Sequence, residues 1–144
     1  MTVRAVFHEH IVTHSEHTGF QMPPLLREYI VDVLASRVDR TDIIPEPRFG
    51  ERYLQLYSQP KLWELKDYAD SVLFFCSLLP EYGRRRGLDM DYYATLGIST
   101  YYALGDLAPD PRFTQLGNWF YHLQRFINSA IRPQTKLQLF DFAE

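Results

Sequence analysis

Apolar residues along this chain recur at spacings of three and four, the spacing of one face of an α-helix, with polar residues between them. The pattern is first sustained after Pro23 and Pro24. There Leu26, Ile30, Val33 and Leu34 share a face while Arg27, Glu28, Asp32 and Arg37 fall on others, which predicts a helix from Pro24 to Val38. The next stretch, DRTDIIPEPRFG, carries Pro45 and Pro47, each of which pushes its predecessor out of the helical region, so it reads as a connector. Phe49, Tyr53 and Leu56 then predict a short helix from Phe49 to Tyr57.

Ser58 as an N-cap and Pro60 in the opening turn mark the start of another helix. Along it Leu62, Leu65, Ala69, Val72, Cys76 and Leu79 form one apolar seam over about five turns, which Pro80 and Gly83 close. Asp89 stands at the next cap position, ahead of a face made by Tyr93, Leu96, Gly97, Thr100, Tyr101 and Leu104. Gly97 costs about 1 kcal/mol against Ala inside a helix, so a close helix approach is expected there. The strongest signal comes last: Asp110 as cap, Pro111 at the first helical position, then Phe113, Leu116, Phe120, Leu123, Ile127 and Ala130 before Pro133.

These elements predict an all-α fold, an irregular antiparallel bundle of four to five helices in a single domain over residues 1–144. Residues 1–22 receive no assigned structure, and residues 134–144, within QTKLQLFDFAE, read as an extended tail. No internal repeat or low-complexity segment divides the chain.

Composition narrows the function classes. A chain of 144 residues can bury a sizeable core, and an aromatic content of 15%, with ten Tyr and ten Phe, argues against disorder. A net charge of −3 disfavours DNA or general polyanion binding, which rests on clustered Lys and Arg neutralising phosphates. The most apolar stretch, Val72 to Leu79, is far shorter than the roughly twenty residues needed to cross a bilayer. The lone Cys76 and the absence of a signal-like apolar core at MTVRAVFHEH point to a cytoplasmic protein with no membrane partner.

Five kinds of candidate chemistry remain. FHEHIVTHSEH holds four of the five histidines. In a helix His10, His14 and His17 share a face, whereas an extended segment aligns His8, His10 and His14, so either conformation offers imidazoles to a divalent metal. No H-E-x-x-H or E-x-x-H motif supports that site, and the plainer reading is a solvated, titratable segment with no cofactor. Cys76 with His122 is a formal nucleophile and base, but a thiol in mid-seam is a buried apolar group whose pKa rises. Glu64, Asp67 and Asp70 line one stripe, with Lys66 four residues before Asp70, and Asp70 at the edge of the seam is placed to anchor an Arg from another helix.

The run Arg84, Arg85, Arg86 sits after a helix end, where it offsets the dipole, and it could take RNA, a nucleotide phosphate or an acidic partner through bidentate contacts. Finally, the pairs Tyr92-Tyr93 and Tyr101-Tyr102, with Trp119, Phe120 and Tyr121, place aromatics on more than one helix face. Adjacent helical residues lie about 100° apart, so Tyr92, Tyr102, Trp119 and Tyr121 are expected at the surface or in an interface.

The block LKDYADSVLFFCSLLPEYGRRRGLDMDYYATLGISTYYAL, residues 65–104, resembles a pattern of small uncharacterised bacterial proteins. It combines Asp-x-x-Leu-Phe, a Pro-Glu turn with basic residues, and Asp-Tyr-Tyr-x-x-Leu-Gly. The resemblance implies an all-helical fold and a bacterial origin and carries no activity. The sequence therefore points first to a noncatalytic helical module that binds a protein partner or itself. Second comes a metal-binding sensor or enzyme built on the histidines, and third an RNA or nucleotide binder.

Overall fold

The computed structural model describes residues 2–38, 49–59 and 61–131, with only the backbone at 49 and 50. Within them the protein is all-helical. The elements are α1 (Val3–Thr18), α2 (Pro24–Arg37), α3 (Phe49–Ser58), α4 (Leu62–Leu78), α5 (Pro80–Arg85), α6 (Met90–Leu107) and α7 (Pro111–Ala130). The expected connector around Pro45 and Pro47, Pro60, Pro133 and the tail 134–144 lie outside the described residues.

The two additional helices have different causes. α1 escapes the periodicity test because only Phe7 and Ile11 are buried along it; its ends are instead fixed by polar capping. Thr2 accepts a hydrogen bond from the Ala5 amide, and Gly19, at a left-handed φ of 73°, donates its amide to the Ser15 carbonyl. α5 arises because Pro80, expected to end the preceding helix, occupies the first turn of a new one. Ser58 is likewise not a cap: its hydroxyl bonds back to the Leu54 carbonyl within α3, and Lys61 precedes α4 without a side-chain cap.

α4 is the central helix, and every residue from Tyr68 to Leu78 is buried. Its surroundings therefore exceed the single seam expected from spacing, as befits a helix covered on all sides. Leu62, at the N-terminal end of that seam, is 47% exposed because the cover starts only with Leu65. Contacts at Val72 with Gly97 and at Asp70 with Tyr101 run in opposite chain directions, so α6 lies antiparallel to α4. The pairs Gly105 with Thr114 and Tyr102 with Gly117 set α7 antiparallel to α6 in the same way. α7 returns alongside α4, where Asn128 Nδ2 donates to the Ser77 carbonyl at 3.0 Å.

All six residues that mark the α7 face are buried, as are Leu26, Ile30, Val33 and Leu34 of α2, and they belong to one apolar core. α1 lies on the outside, against α2 and α7. It is held by Phe7 and Ile11 and by Arg4, which reaches Glu28 at 2.6 Å and Asp32 at 3.0 Å; these ion pairs are exposed and contribute little.

Both sequence-predicted carboxylate caps form, Asp89 accepting from the Tyr92 amide and Asp110 from the Arg112 amide. Asp110 also takes the Arg112 side chain through Nε and Nη2, and that hydrogen-bonded guanidinium holds its carboxyl below the ordinary value of 3.8. Asp110→Ala is expected to cost about 1 kcal/mol in urea unfolding at neutral pH. A depressed folded pKa means the contribution is complete above 3.8 and fades as pH falls through the folded value, so variant and wild type converge in strong acid.

Candidate functional site

Two features stand out, one inside the bundle and one on its surface. The inner one centres on Asp70 of α4, whose side chain is fully buried. Its Oδ1 accepts from the hydroxyls of Tyr29 of α2 and Tyr101 of α6, each at 2.7 Å. Its Oδ2 accepts from Lys66 Nζ at 2.8 Å and lies 3.8 Å from Arg37 Nη2. Burial, together with the neighbouring carboxylate, raises the pKa of both tyrosines well above the usual phenol value, so both hydroxyls keep their protons and act as donors.

Arg37, almost fully buried, extends the network. It donates from Nη2 to Asp67 at 3.0 Å, from Nη1 to Ser36 at 2.7 Å and from Nε to Ser71 at 3.3 Å. The Tyr29 ring lies near two cations, Lys66 Nζ 4.9 Å and the Arg112 guanidinium 5.2 Å from its centroid. Asp70 thus receives an Arg from another helix, at the edge of the seam where sequence spacing puts it. The two tyrosines on its other side carry no sequence signal, because Tyr29 and Tyr101 are apolar-face residues by spacing alone. With both oxygens occupied and no exposure, this carboxylate ties α2, α4 and α6 together and does not meet a substrate.

The outer feature is aromatic. Tyr92 is 50% exposed, Tyr102 40% and Tyr121 41%, whereas their neighbours Tyr93, Tyr101 and Phe120 are buried. The 100° step between adjacent helical residues separates each pair. Tyr102 is held across the line between α6 and α7: its hydroxyl donates to Asn118 Oδ1 at 2.6 Å and its ring lies over Gly117. A Cβ at 117 would stand 2.9 Å from that ring, so the position admits the tyrosine only because it is glycine. Trp119 differs from the expectation, being half-buried edge-on to Phe20 at 6.0 Å and near His122 at 5.7 Å. It helps anchor the chain after α1, since Phe20 also stacks on Phe126.

Sequence spacing missed Trp63, 69% exposed, and Leu107, 50% exposed. Both follow from their places beside helix ends, where the cover of neighbouring helices stops. Leu107 lines a pocket of about 230 Å³ with Tyr57, Leu65, Ala103 and Asp106, between α3, the start of α4 and the end of α6. That volume falls below the roughly 300–1,000 Å³ of small-molecule sites.

The histidines are spread along α1. His8 faces Glu28 at 3.7 Å, and His14 packs on the Phe126 ring at 5.1 Å. His17 lies exposed in the last turn. Among the described residues no three His, Cys, Asp or Glu side chains are grouped to hold a metal ion, so the extended alignment of His8, His10 and His14 is replaced by a helix that does not converge them. Arg84, Arg85 and Arg86 are exposed at the end of α5, Arg86 stacked over the Tyr82 ring at 4.3 Å. Cys76 is fully buried and burial pushes its thiol up to about 12, which removes it as a nucleophile near neutral pH.

Among the described residues no helix is long and apolar enough to cross a membrane. Comparison with protein-family models, with curated proteins and with solved structures finds no match to the chain.

Proposed function

We propose that this protein is a noncatalytic interaction module that docks a protein partner on the outward face of α6 and its flanks on α3 and α7. The observation that carries the reading is the exposure of Tyr92, Tyr102 and Tyr121, with Tyr57 and Leu107 also exposed, large groups left open while a full core is buried beneath them. Tyrosine is enriched in interface cores because it offers wide contact area at low entropic cost and keeps a polar tip. The interior supports the same reading: its buried carboxylate, Asp70, is spent on joining helices, and its thiol is inert. A cytoplasmic setting accords with a single buried cysteine and no disulfide.

The test is site-specific photo-crosslinking in native cells. A photoreactive residue at Tyr102 or Tyr121 is expected to give discrete adducts, and one at exposed Arg27 on α2 none. Equal yields at all three positions, or no adduct at either tyrosine, would overturn the reading.

A further inference from the structure

We infer that the pocket at the end of α6 is the anchor point of this interaction and takes one arginine side chain of the protein partner. The inference rests on the interaction reading and names the chemistry that the partner must carry.

Three helices build the pocket. Ala103, Asp106 and Leu107, at spacings of three and four, turn one side of α6 toward it; Leu65 of α4 is its buried base, and Tyr57 of α3 stands at its other side. The Tyr57 ring is placed by Tyr53, with centroids 5.3 Å apart, yet Tyr57 stays 56% exposed, so much of the ring is open to an incoming group. A volume of about 230 Å³ is small for a free ligand and suits one long side chain. Tyr102 precedes Asp106 by one helical turn, so the pocket borders the exposed tyrosines.

Charge selects the side chain. Asp106 is the one charged group among the described residues that line the pocket. It is exposed, and no Lys or Arg of the described residues pairs with it, whereas Asp67, Asp70 and Asp110 are each met by a cation. It also stands in the last turn of α6, which has no basic residue, so its charge adds to the negative end of the helix dipole. A cation seated between Asp106 and Tyr57 removes that penalty, and the apolar walls at Leu65, Ala103 and Leu107 suit a cation carried on an aliphatic stem. Arginine fits better than lysine, because its planar guanidinium both forks onto a carboxylate and stacks on an aromatic ring. An acidic side chain would be repelled here, and a purely apolar one would strip water from Asp106 without replacing it.

Titration of the isotope-labelled protein with N-acetyl-arginine N-methylamide, an arginine with both ends blocked, tests the site by amide NMR. Saturable shifts are expected at Ala103, Asp106 and Leu107, with a Kd of about 1–10 mM as befits one side chain. The citrulline analogue, which keeps the stem and loses the charge, should bind about tenfold more weakly or worse, and so should the arginine analogue to Asp106→Asn. Ala103→Leu, which fills the pocket and leaves the charge, should also abolish the shifts. No saturable binding by about 50 mM, or lysine and citrulline analogues that bind as tightly as arginine, overturns the assignment. Asp106→Asn should melt no lower than wild type, because it relieves the helix end; a lower melting temperature would reveal an internal partner and also overturn it. In cells, Asp106→Asn should cut the adducts from a photoreactive residue at Tyr102 about tenfold. Undiminished adducts remove the arginine anchor while the interaction reading stands; if the otherwise wild-type chain gives no adducts either, both fall.

Discussion

Asp70→Ala is expected to lower the unfolding free energy by about 3–5 kcal/mol, the largest loss for any single polar side chain in the bundle. The reason is what remains behind. Tyr29 and Tyr101 keep hydroxyls that pointed at the lost oxygen from 2.7 Å, and Arg37, nearly buried, loses one of its two carboxylate neighbours. Each unsatisfied buried donor costs about 1–3 kcal/mol in desolvation, and the small cavity adds to it. Asp70→Asn retains an oxygen for the tyrosines but turns an amide toward the cations, so its loss should be smaller. Tyr29→Phe and Tyr101→Phe should each cost less again, and their double variant should depart from additivity because both act on one atom. Urea midpoints at constant m-value give the comparison. An Asp70→Ala variant within about 1 kcal/mol of wild type would show that the network is not holding the helices.

Gly97→Ala should destabilise by about 1–3 kcal/mol although helix propensity alone favours Ala by about 1 kcal/mol. A Cβ at 97 would stand 2.9 Å from both Phe120 of α7 and Val72 of α4, in a core whose other atoms are packed. Neither neighbour can retreat freely: Phe120 is fully buried and Val72 lies on the central helix. Val72→Ala in the same chain vacates one side of the contact, so the pair of changes should cost less than the sum of the two. A more stable Gly97→Ala protein would mean that α6 can move away from α4 and α7 without loss.

How far the sequence reveals this architecture depends on which force defines each element. α7, α6 and α2 are legible because burial on one face fixes their apolar spacing, and the close approach at Gly97 is legible because nothing else explains a glycine there. α1 is hidden because it is held by caps, two buried residues and surface ion pairs, none of which produces periodicity. The start of α5 is hidden because Pro80 serves equally well as an end or a beginning. At the candidate site, exposure of Tyr92, Tyr102 and Tyr121 follows from helical geometry. Trp119 departs from it because Phe20, from the turn after α1, covers its ring. The Tyr29–Asp70–Tyr101 junction needs three helices in register, which spacing within any one of them does not encode.

That junction also bears on how the chain reaches this state. A half-assembled bundle that buries Asp70 before α2 or α6 has docked holds a carboxylate out of water with one of its two hydroxyl donors missing. Such a species is disfavoured relative both to the open chain, where water solvates the charge, and to the finished bundle, where every donor is in place. The carboxylate thus penalises intermediates more than it stabilises the end point, pushing folding toward a single all-or-none step in which α2, α4 and α6 close around it together.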